Sequence, residues 1–454
     1  MRTLILNCCY LVLTILVLPM VAWKRFRIGK YKHGWGQKLL GNVPARMDLK
    51  QPCLWLHAVS VGEVLQLRPI VDRLQRVDPQ AKIVISTTTE TGHAVAREKF
   101  PHCEVIFFPL DYSWSVQRAL QRIQPDLIVL VELELWPNFI FAAAKRRIPL
   151  ALINGRLSER SFRGYGRIRP LVQQLLQCFS LIGTQTEEYR QRFLHLGASP
   201  GTTLVTGSIK FDGVATNPDQ PLTRELADWL QLTSQAPVFV AGSTQAPEES
   251  LAINVFAALR KNFPRLRLVI VPRHPERGGE IAQLIRQQGF IPLQRTCRAK
   301  TGIDQQRLEN REEEGKGEDD SSNCIGLLDT VGELGACWGL ANIAFVGGSF
   351  TNRGGQNMLE PAAYGAAVCF GPKTWNFKQI VELLLAANAA RRVQSPQELE
   401  QFVCEMLTAP ALARSMGTRA KELVLSQQGA TDRTVDALLP LLAASPAGYR
   451  HRAA

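Results

Sequence analysis

The sequence predicts an α/β protein of two doubly wound domains in series, behind an apolar N-terminal helix. Three observations predict it. From Pro52 onward, short apolar runs alternate with amphipathic segments, the pattern of parallel strands covered by helices. The pattern breaks over Gly213–Ala236, which carries Asn217, Pro218, Asp219 and Pro221 and no strand signal, and restarts at Val238. Several apolar runs end in glycine-rich or arginine-bearing turns, where sheets of this kind hold their ligands.

The first element is the 20-residue stretch Leu4–Trp23, which carries no charge. About 20 such residues cross the hydrocarbon core of a bilayer. Lys24, Arg25, Arg27, Lys30 and Lys32 follow at once, and eight Lys or Arg against one Asp lie between Lys24 and Lys50. By the positive-inside rule this end and everything after it are cytoplasmic. Trp23, Phe26, Tyr31 and Trp35 suit the headgroup level. The competing reading is a cleaved signal peptide, whose apolar core is shorter and ends in a small-x-small site; no such site is evident. Asn7, Thr14 and Pro19 weaken the stretch as a full span. The expected organisation is an anchor over 1–23, a basic juxtamembrane segment over 24–50, a first domain over 51–212, a connection over 213–236, a second domain over 237–430 and a tail over 431–454.

In the first domain the expected strands are Leu54–Ala58, Lys82–Thr88, Val105–Pro109, Leu127–Val131, Pro149–Asn154, Leu181–Gln185 and Leu204–Thr206, with Glu63–Val77 and Trp114–Ile123 among the covering helices. In the second they are Val238–Ala241, Leu266–Val271, Phe290–Leu293, Cys324–Leu328, Asn342–Val346 and Ala367–Phe370. Arg298–Asn323 fits neither element. It is polar, carries two acidic runs, and reads as a solvated, mobile loop insertion.

A net charge of +13 points to an anionic partner: nucleic acid, an acidic membrane surface or a phosphorylated substrate. Its concentration beside the apolar stretch, without interleaved stacking motifs, argues against nucleic acid. The 10 cysteines are scattered without a CxxC pair and read as buried thiols of a reducing compartment; the 7 histidines form no HExxH pattern, so no metal is expected.

The most informative stretch is Ala344–Ala362. An apolar run ends in Gly347-Gly348-Ser349, and a second pair, Gly354-Gly355, leads through Gln356 and Asn357 into a helical pattern carrying Glu360. Glycines let a phosphate approach bare backbone N–H groups, and a helix N-terminus favours its charge. Glu360 then sits where it can accept from ribose hydroxyls. The bland reading is a tight strand-to-helix turn. Gly242-Ser243-Thr244 reads as a second compact phosphate-type loop. Arg273, between Pro272 and His274, ends a strand and suits carboxylate or phosphate.

In the first domain, Ser60, Gly62 and Glu63 follow the first strand. Gly62 is expected to give a tight turn, and Glu63 to fall in the first helical turn. There it either takes a proton from an acceptor hydroxyl or merely complements the helix dipole. Glu132 and Glu134 follow Leu127–Val131 and act in the site or anchor basic neighbours such as Arg156. Lys210 lies near the end of the domain.

Taken in order, HAVSVGE, ELWPN, LSERS, KFD, GST, VPRHPER, DTVGEL, FVGGS and NMLEPAAYG resemble the 3-deoxy-D-manno-octulosonic acid (Kdo) transferase family, the lipid A glycosyltransferases of Gram-negative-type envelopes. The resemblance runs from the apolar stretch to about Glu422. It implies a GT-B fold, two Rossmann-like domains facing a central cleft, and metal-independent, inverting transfer of Kdo from CMP-Kdo to a lipid A precursor at the inner membrane. It implies Glu63 as general base, CMP on the second domain, phosphate at Gly347–Asn357, ribose at Glu360, and Arg273 on the leaving phosphate or the Kdo carboxylate. The chain departs from the family pattern at Gln245, Gln356 and Lys373, where histidine is usual. Two other readings stay open on sequence: a GT-B transferase with a different nucleotide sugar, and a non-catalytic sugar-nucleotide or lipid-binding homologue.

Overall fold

The structure, a computed structural model, describes residues 2–27, 33–233, 236–300 and 323–444. Its contacts divide the chain into two compact units, residues 1–213 with 427–454, and residues 214–426.

The sheet of the first unit has seven strands, β1 (Cys53–His57), β2 (Lys82–Thr87), β3 (Glu104–Phe107), β4 (Leu127–Val131), β5 (Leu150–Gly155), β6 (Leu181–Thr184) and β7 (Thr203–Val205). All pairings are parallel and the order is β3-β2-β1-β4-β5-β6-β7. This is a doubly wound order, which reverses between β1 and β4. Both faces of the sheet are covered, which is why β1 and β4 read as unbroken apolar runs. Trp55, Ile128, Leu130 and Leu152 pack on one side with Phe139; Leu54, Leu56, Val129 and Ile153 pack on the other with Val64 and Leu67.

The segment expected as a C-terminal tail supplies part of this second layer. Helix Ala430–Ala443 places Ala430, Val435, Leu438 and Leu442 in the first unit's core, beside helix Val61–Val77. Residues 445–454 lie outside the described residues.

The second unit holds β8 (Val238–Thr244), β9 (Arg267–Pro272), β10 (Ile291–Gln294), β11 (Cys324–Leu327), β12 (Ile343–Val346), β13 (Ala367–Phe370) and β14 (Ala390–Arg392), in the parallel order β10-β11-β9-β8-β12-β13-β14. This order reverses between β8 and β12. Strand β14 adds an edge that the sequence reading missed, since two of its three residues are arginines. The expected connection 213–236 contains a helix, Pro221–Trp229, whose Leu226 and Trp229 are buried. Of the expected insertion 298–323, residues 301–322 lie outside the described residues.

At the start of the first unit, helix Arg2–Arg27 covers the predicted apolar stretch; its Thr3–Val21 portion is long and apolar enough to cross a membrane. Residues 28–32 of the expected basic segment lie outside the described residues.

Candidate active site

In the first unit the carboxylates gather at the sheet's reversal point. Beyond the end of β1, Ser60 adopts an extended backbone and caps helix Val61–Val77, its Oγ accepting from the Glu63 N–H. The Glu63 carboxylate reaches back to the same turn. Oε1 accepts from the Ser60 hydroxyl at 2.9 Å and Oε2 from the Val59 N–H at 2.7 Å. Glu63 thus lies in the first helical turn, and these two bonds fix its carboxylate. Two hydrogen bonds leave acceptor capacity on its oxygens. Burial raises the Glu63 pKa, the bonds from Val59 and Ser60 pull it back, Glu132 adds to the rise and Lys210 opposes it.

Gly62 does not make the tight turn expected of it. It lies inside the first helical turn without a left-handed φ, and a Cβ there meets nothing nearer than the Ser60 Oγ at 4.0 Å. The fold does not require glycine at this position. Its bare, exposed Cα leaves the approach beside Glu63 open.

Beyond β4, across the reversal point, stand Glu132 and Glu134. Glu132 takes a left-handed φ of 60°, a conformation a non-glycine residue holds only when its surroundings enforce it. Its carboxylate pairs with the Lys210 ammonium at 3.6 Å. Arg156, the basic partner anticipated from sequence, is half-buried and forms no ion pair among the described residues. Glu134 accepts from Trp136 Nε1 at 2.8 Å, and burial together with the Glu63 charge pushes its pKa up to about 7. Asn154, at the end of β5 with a φ of 54°, holds Gln66 of the Glu63 helix at 2.8 Å.

In the second unit the candidate loops also cluster at the reversal point, but their amides are not bare. Glu248, fully buried at the start of helix Glu248–Arg260, fills the nest made by Gly348-Ser349-Phe350. Its carboxylate accepts the N–H of Gly348 at 2.7 Å, of Ser349 at 3.0 Å and of Phe350 at 2.9 Å, and that of Gln245 at 3.0 Å. The expectation that this turn presents free donors to a phosphate is thus corrected: an internal carboxylate holds the amides of Gly348, Ser349 and Phe350, and the Gly242 carbonyl accepts the Gly347 N–H at 2.8 Å. Gly348, with a φ of 67°, permits the turn that aims these amides inward.

Gly242-Ser243-Thr244 is likewise not a loop. All three residues belong to β8. Gly242 is needed for packing, since a Cβ there falls 2.4 Å from the Trp338 ring. Ser243 takes a φ of 53° at the point where a β-bulge shifts the register against β9. The Thr244 carbonyl accepts the Arg273 N–H at 2.9 Å.

The Arg273 side chain is exposed and has no partner among the described residues, so its guanidinium is available. His274 Nδ1 lies 3.2 Å from Glu276, and Pro272 closes β9. The adjoining turn is latched by the nearly buried Glu249, paired with Arg277 at 2.7 Å.

Gly354 and Gly355 both have a φ of 83°, and Gln356 fills the space beside Gly348. Asn357 Oδ1 accepts the Leu359 N–H at 3.2 Å, and its Nδ2 donates to Glu360 at 3.0 Å. Burial raises the Glu360 pKa against that bond. The helix carrying Glu360, Leu359–Tyr364, has only six residues, so its dipole is weaker than the sequence pattern suggested. Lys373 donates to Asn352 at 2.8 Å.

Glu248 and Glu249 are the residues that sequence reasoning missed. Adjacent glutamates opening a helix look like solvated dipole partners, and the only signal against that was their place directly behind a strand-end Gly-Ser-Thr. No group of three or more His, Cys, Asp or Glu arranged to hold a metal ion occurs among the described residues.

A family model described as 3-deoxy-D-manno-octulosonic-acid transferase (kdotransferase) matches residues 30–213. The chain is 33% identical over 392 residues to the 3-deoxy-D-manno-octulosonic acid transferase of Haemophilus influenzae, covering 86% of this chain and 87% of that one. It is 32% identical over 394 residues to the same enzyme of Bordetella pertussis, covering 85% and 86%. Among solved structures it resembles the UDP-GlcNAc 2-epimerase of Neisseria meningitidis bound to UDP-GlcNAc, with a TM-score of 0.53 at 14% identity over 86% of this chain and all of that one. This last likeness shows the fold alone: two Rossmann-like sheets of the GT-B type.

Proposed function

Since the chain belongs to the 3-deoxy-D-manno-octulosonic acid transferase family, we propose that it moves Kdo from CMP-Kdo to a lipid A precursor, with Glu63 as the general base. The observation that carries this role is the fixed Glu63 carboxylate at the reversal point of the first sheet, reachable past a glycine that the fold does not need.

An acceptor hydroxyl oxygen attacks the anomeric carbon of Kdo. Glu63 takes the hydroxyl proton as the new C–O bond forms. The bond from the anomeric carbon to the phosphate oxygen breaks, CMP leaves with that electron pair, and the configuration inverts. A base must be ionised yet basic; burial raises the proton affinity of Glu63 and the two donated hydrogen bonds oppose that rise.

CMP-Kdo binds the second unit at the ends of β8, β9 and β12. Arg273 meets the leaving phosphate or the Kdo carboxylate through paired donors. Asn357 orients Glu360 toward the ribose. Ser349 and Gly348 act here through Glu248, and Gly347 through the Gly242 carbonyl, as a rigid floor rather than as phosphate ligands. Ser243, Thr244, Gly354, Gly355 and Gln356 shape the walls. The N-terminal helix and its basic flank hold the enzyme at the anionic inner membrane, facing the cytoplasm, where the lipid acceptor lies.

The test is Glu63→Gln. Kdo transfer falls by at least about 100-fold, in line with the usual contribution of a general base, while CMP binding by titration calorimetry stays at the wild-type value. Transfer at the wild-type rate removes Glu63 from this role. CMP competing no better than UDP removes the donor assignment.

A further inference from the structure

Helix Arg2–Arg27 is about 39 Å long at 1.5 Å per residue, enough to span a bilayer, so length alone does not decide how it meets one. Its polar side chains do. Asn7, Tyr10 and Thr14 interrupt the apolar stretch at helical spacing and fall on one stripe. All three are bonded to the first unit. Asn7 Nδ2 donates to Ser113 Oγ at 2.8 Å, and Asn7 Oδ1 accepts from the Ser113 N–H and from Asn138 Nδ2, each at 3.1 Å. The Tyr10 hydroxyl donates to Asp111 at 2.8 Å, and its ring meets Tyr112 edge-on. Thr14 Oγ1 shares a hydrogen bond with the Tyr112 hydroxyl.

The same stripe continues through half-buried Leu6, Val17 and Val21. The helix therefore lies along the unit over about 22 Å. Leu4, Ile5, Val12, Ile15 and Leu16 point the other way and are more than half exposed.

Asp111 is also structural for the site. It is almost wholly buried and accepts the N–H groups of Asn138 and Phe139, which start helix Pro137–Lys145 directly behind Glu134 and Trp136. A helix crossing the bilayer would either pull this surface, with its buried carboxylate, into hydrocarbon or break every one of these bonds. A polar group left unpaired there has no water to bond and is strongly disfavoured. A cleaved leader would leave Asp111 and Ser113 without these partners.

We propose that this helix is an in-plane anchor: it stays docked on the first unit through Asn7, Tyr10 and Thr14, and inserts its opposite face into one leaflet of the membrane without crossing it. The inference rests on the membrane-anchor reading above and refines it. The occupant of the exposed face is lipid acyl chain, as its unbroken apolar character and the basic run from Lys24 to Lys32 beside it indicate. The polar side that such helices ordinarily turn to headgroups is here covered by the protein itself.

The test uses the full chain in cell membranes with an epitope tag ahead of Met1. In-plane docking leaves the tag on the cytoplasmic side, so added protease removes it in inverted vesicles and spares it in intact spheroplasts. Removal in spheroplasts and protection in inverted vesicles overturns the proposal while leaving the anchor intact. Recovery of the chain in the soluble fraction overturns both. A second variant reads the docking directly: Asn7→Cys with Ser113→Cys, in a background with Cys8→Ala and Cys9→Ala, forms a disulfide in membranes under mild oxidation. This four-fold substituted chain remaining fully reduced, while active, contradicts the docked geometry.

Discussion

Glu248 and Ser349 stand 101 residues apart in the chain, yet the Ser349 N–H donates to the Glu248 carboxylate at 3.0 Å, inside the core of the second unit. The same carboxylate takes Gly348, Phe350 and Gln245, so one buried side chain ties the end of β12 to the start of the helix after β8. Burial raises its pKa and the four amides oppose the rise.

Glu248→Ala leaves four inward-facing amides without their acceptor. The expected loss is about 3 kcal/mol in the unfolding free energy, given 1–3 kcal/mol for each buried group left unsatisfied and partial relief by entering water. CMP affinity falls with it, because the floor of the donor site loosens. Denaturant unfolding and calorimetric titration check both; an unchanged unfolding midpoint contradicts the latch.

Lys210 is one of the groups that hold the Glu63 pKa down, and its partner Glu132 pushes it up. Lys210→Met removes the first and unpairs the second. Glu63 then needs a higher pH to ionise, so the acidic limb of the kcat/KM profile moves to higher pH. A limb that stays or moves down contradicts the electrostatic coupling.

Glu134 gives a stability prediction of definite sign. Its folded pKa is raised to about 7, so as pH rises from the ordinary carboxylate range the unfolded chain ionises first. The contribution of the group to stability is full below that range and is lost progressively up to about pH 7. Glu134→Gln has no such loss. Relative to wild type, the variant is therefore more stable at pH 8 than at pH 4, as thermal unfolding at the two pH values measures. An identical pH dependence in both proteins refutes the raised pKa.

Leu438 lies near the end of the chain but is fully buried among the first unit's side chains. Leu438→Ala is expected to destabilise that unit by about 3 kcal/mol, as for other buried leucines. Protease sensitivity appearing first within residues 51–213 would follow; an effect below about 0.5 kcal/mol, the usual bound for surface changes, would place the helix outside the core.

All strands but the arginine-rich edge β14 were legible because a parallel sheet covered on both faces demands apolar runs, and Leu127–Val131 and Ala367–Phe370 carry no other signal. Glu63 was legible because it follows the first strand closely enough to fall in the first turn of the next helix. What escaped was long-range. Nothing local says that the amides of Gly348 and Ser349 are taken by Glu248, or that Gly242 is glycine for the sake of Trp338. The core that Leu438 joins is equally invisible in its neighbours. Asn7 and Thr14 looked like flaws in an anchor, and became contacts only once Ser113 and Tyr112 were placed beside them.

The most direct test is a single reaction. The purified full chain, in detergent, is given CMP-Kdo and a tetraacylated lipid A precursor, and the lipid is weighed by mass spectrometry. The account predicts a lipid heavier by one or more Kdo residues, with release of CMP, and loss of both in Glu63→Gln. An unchanged lipid, beside an authentic transferase active in the same mixture, contradicts it.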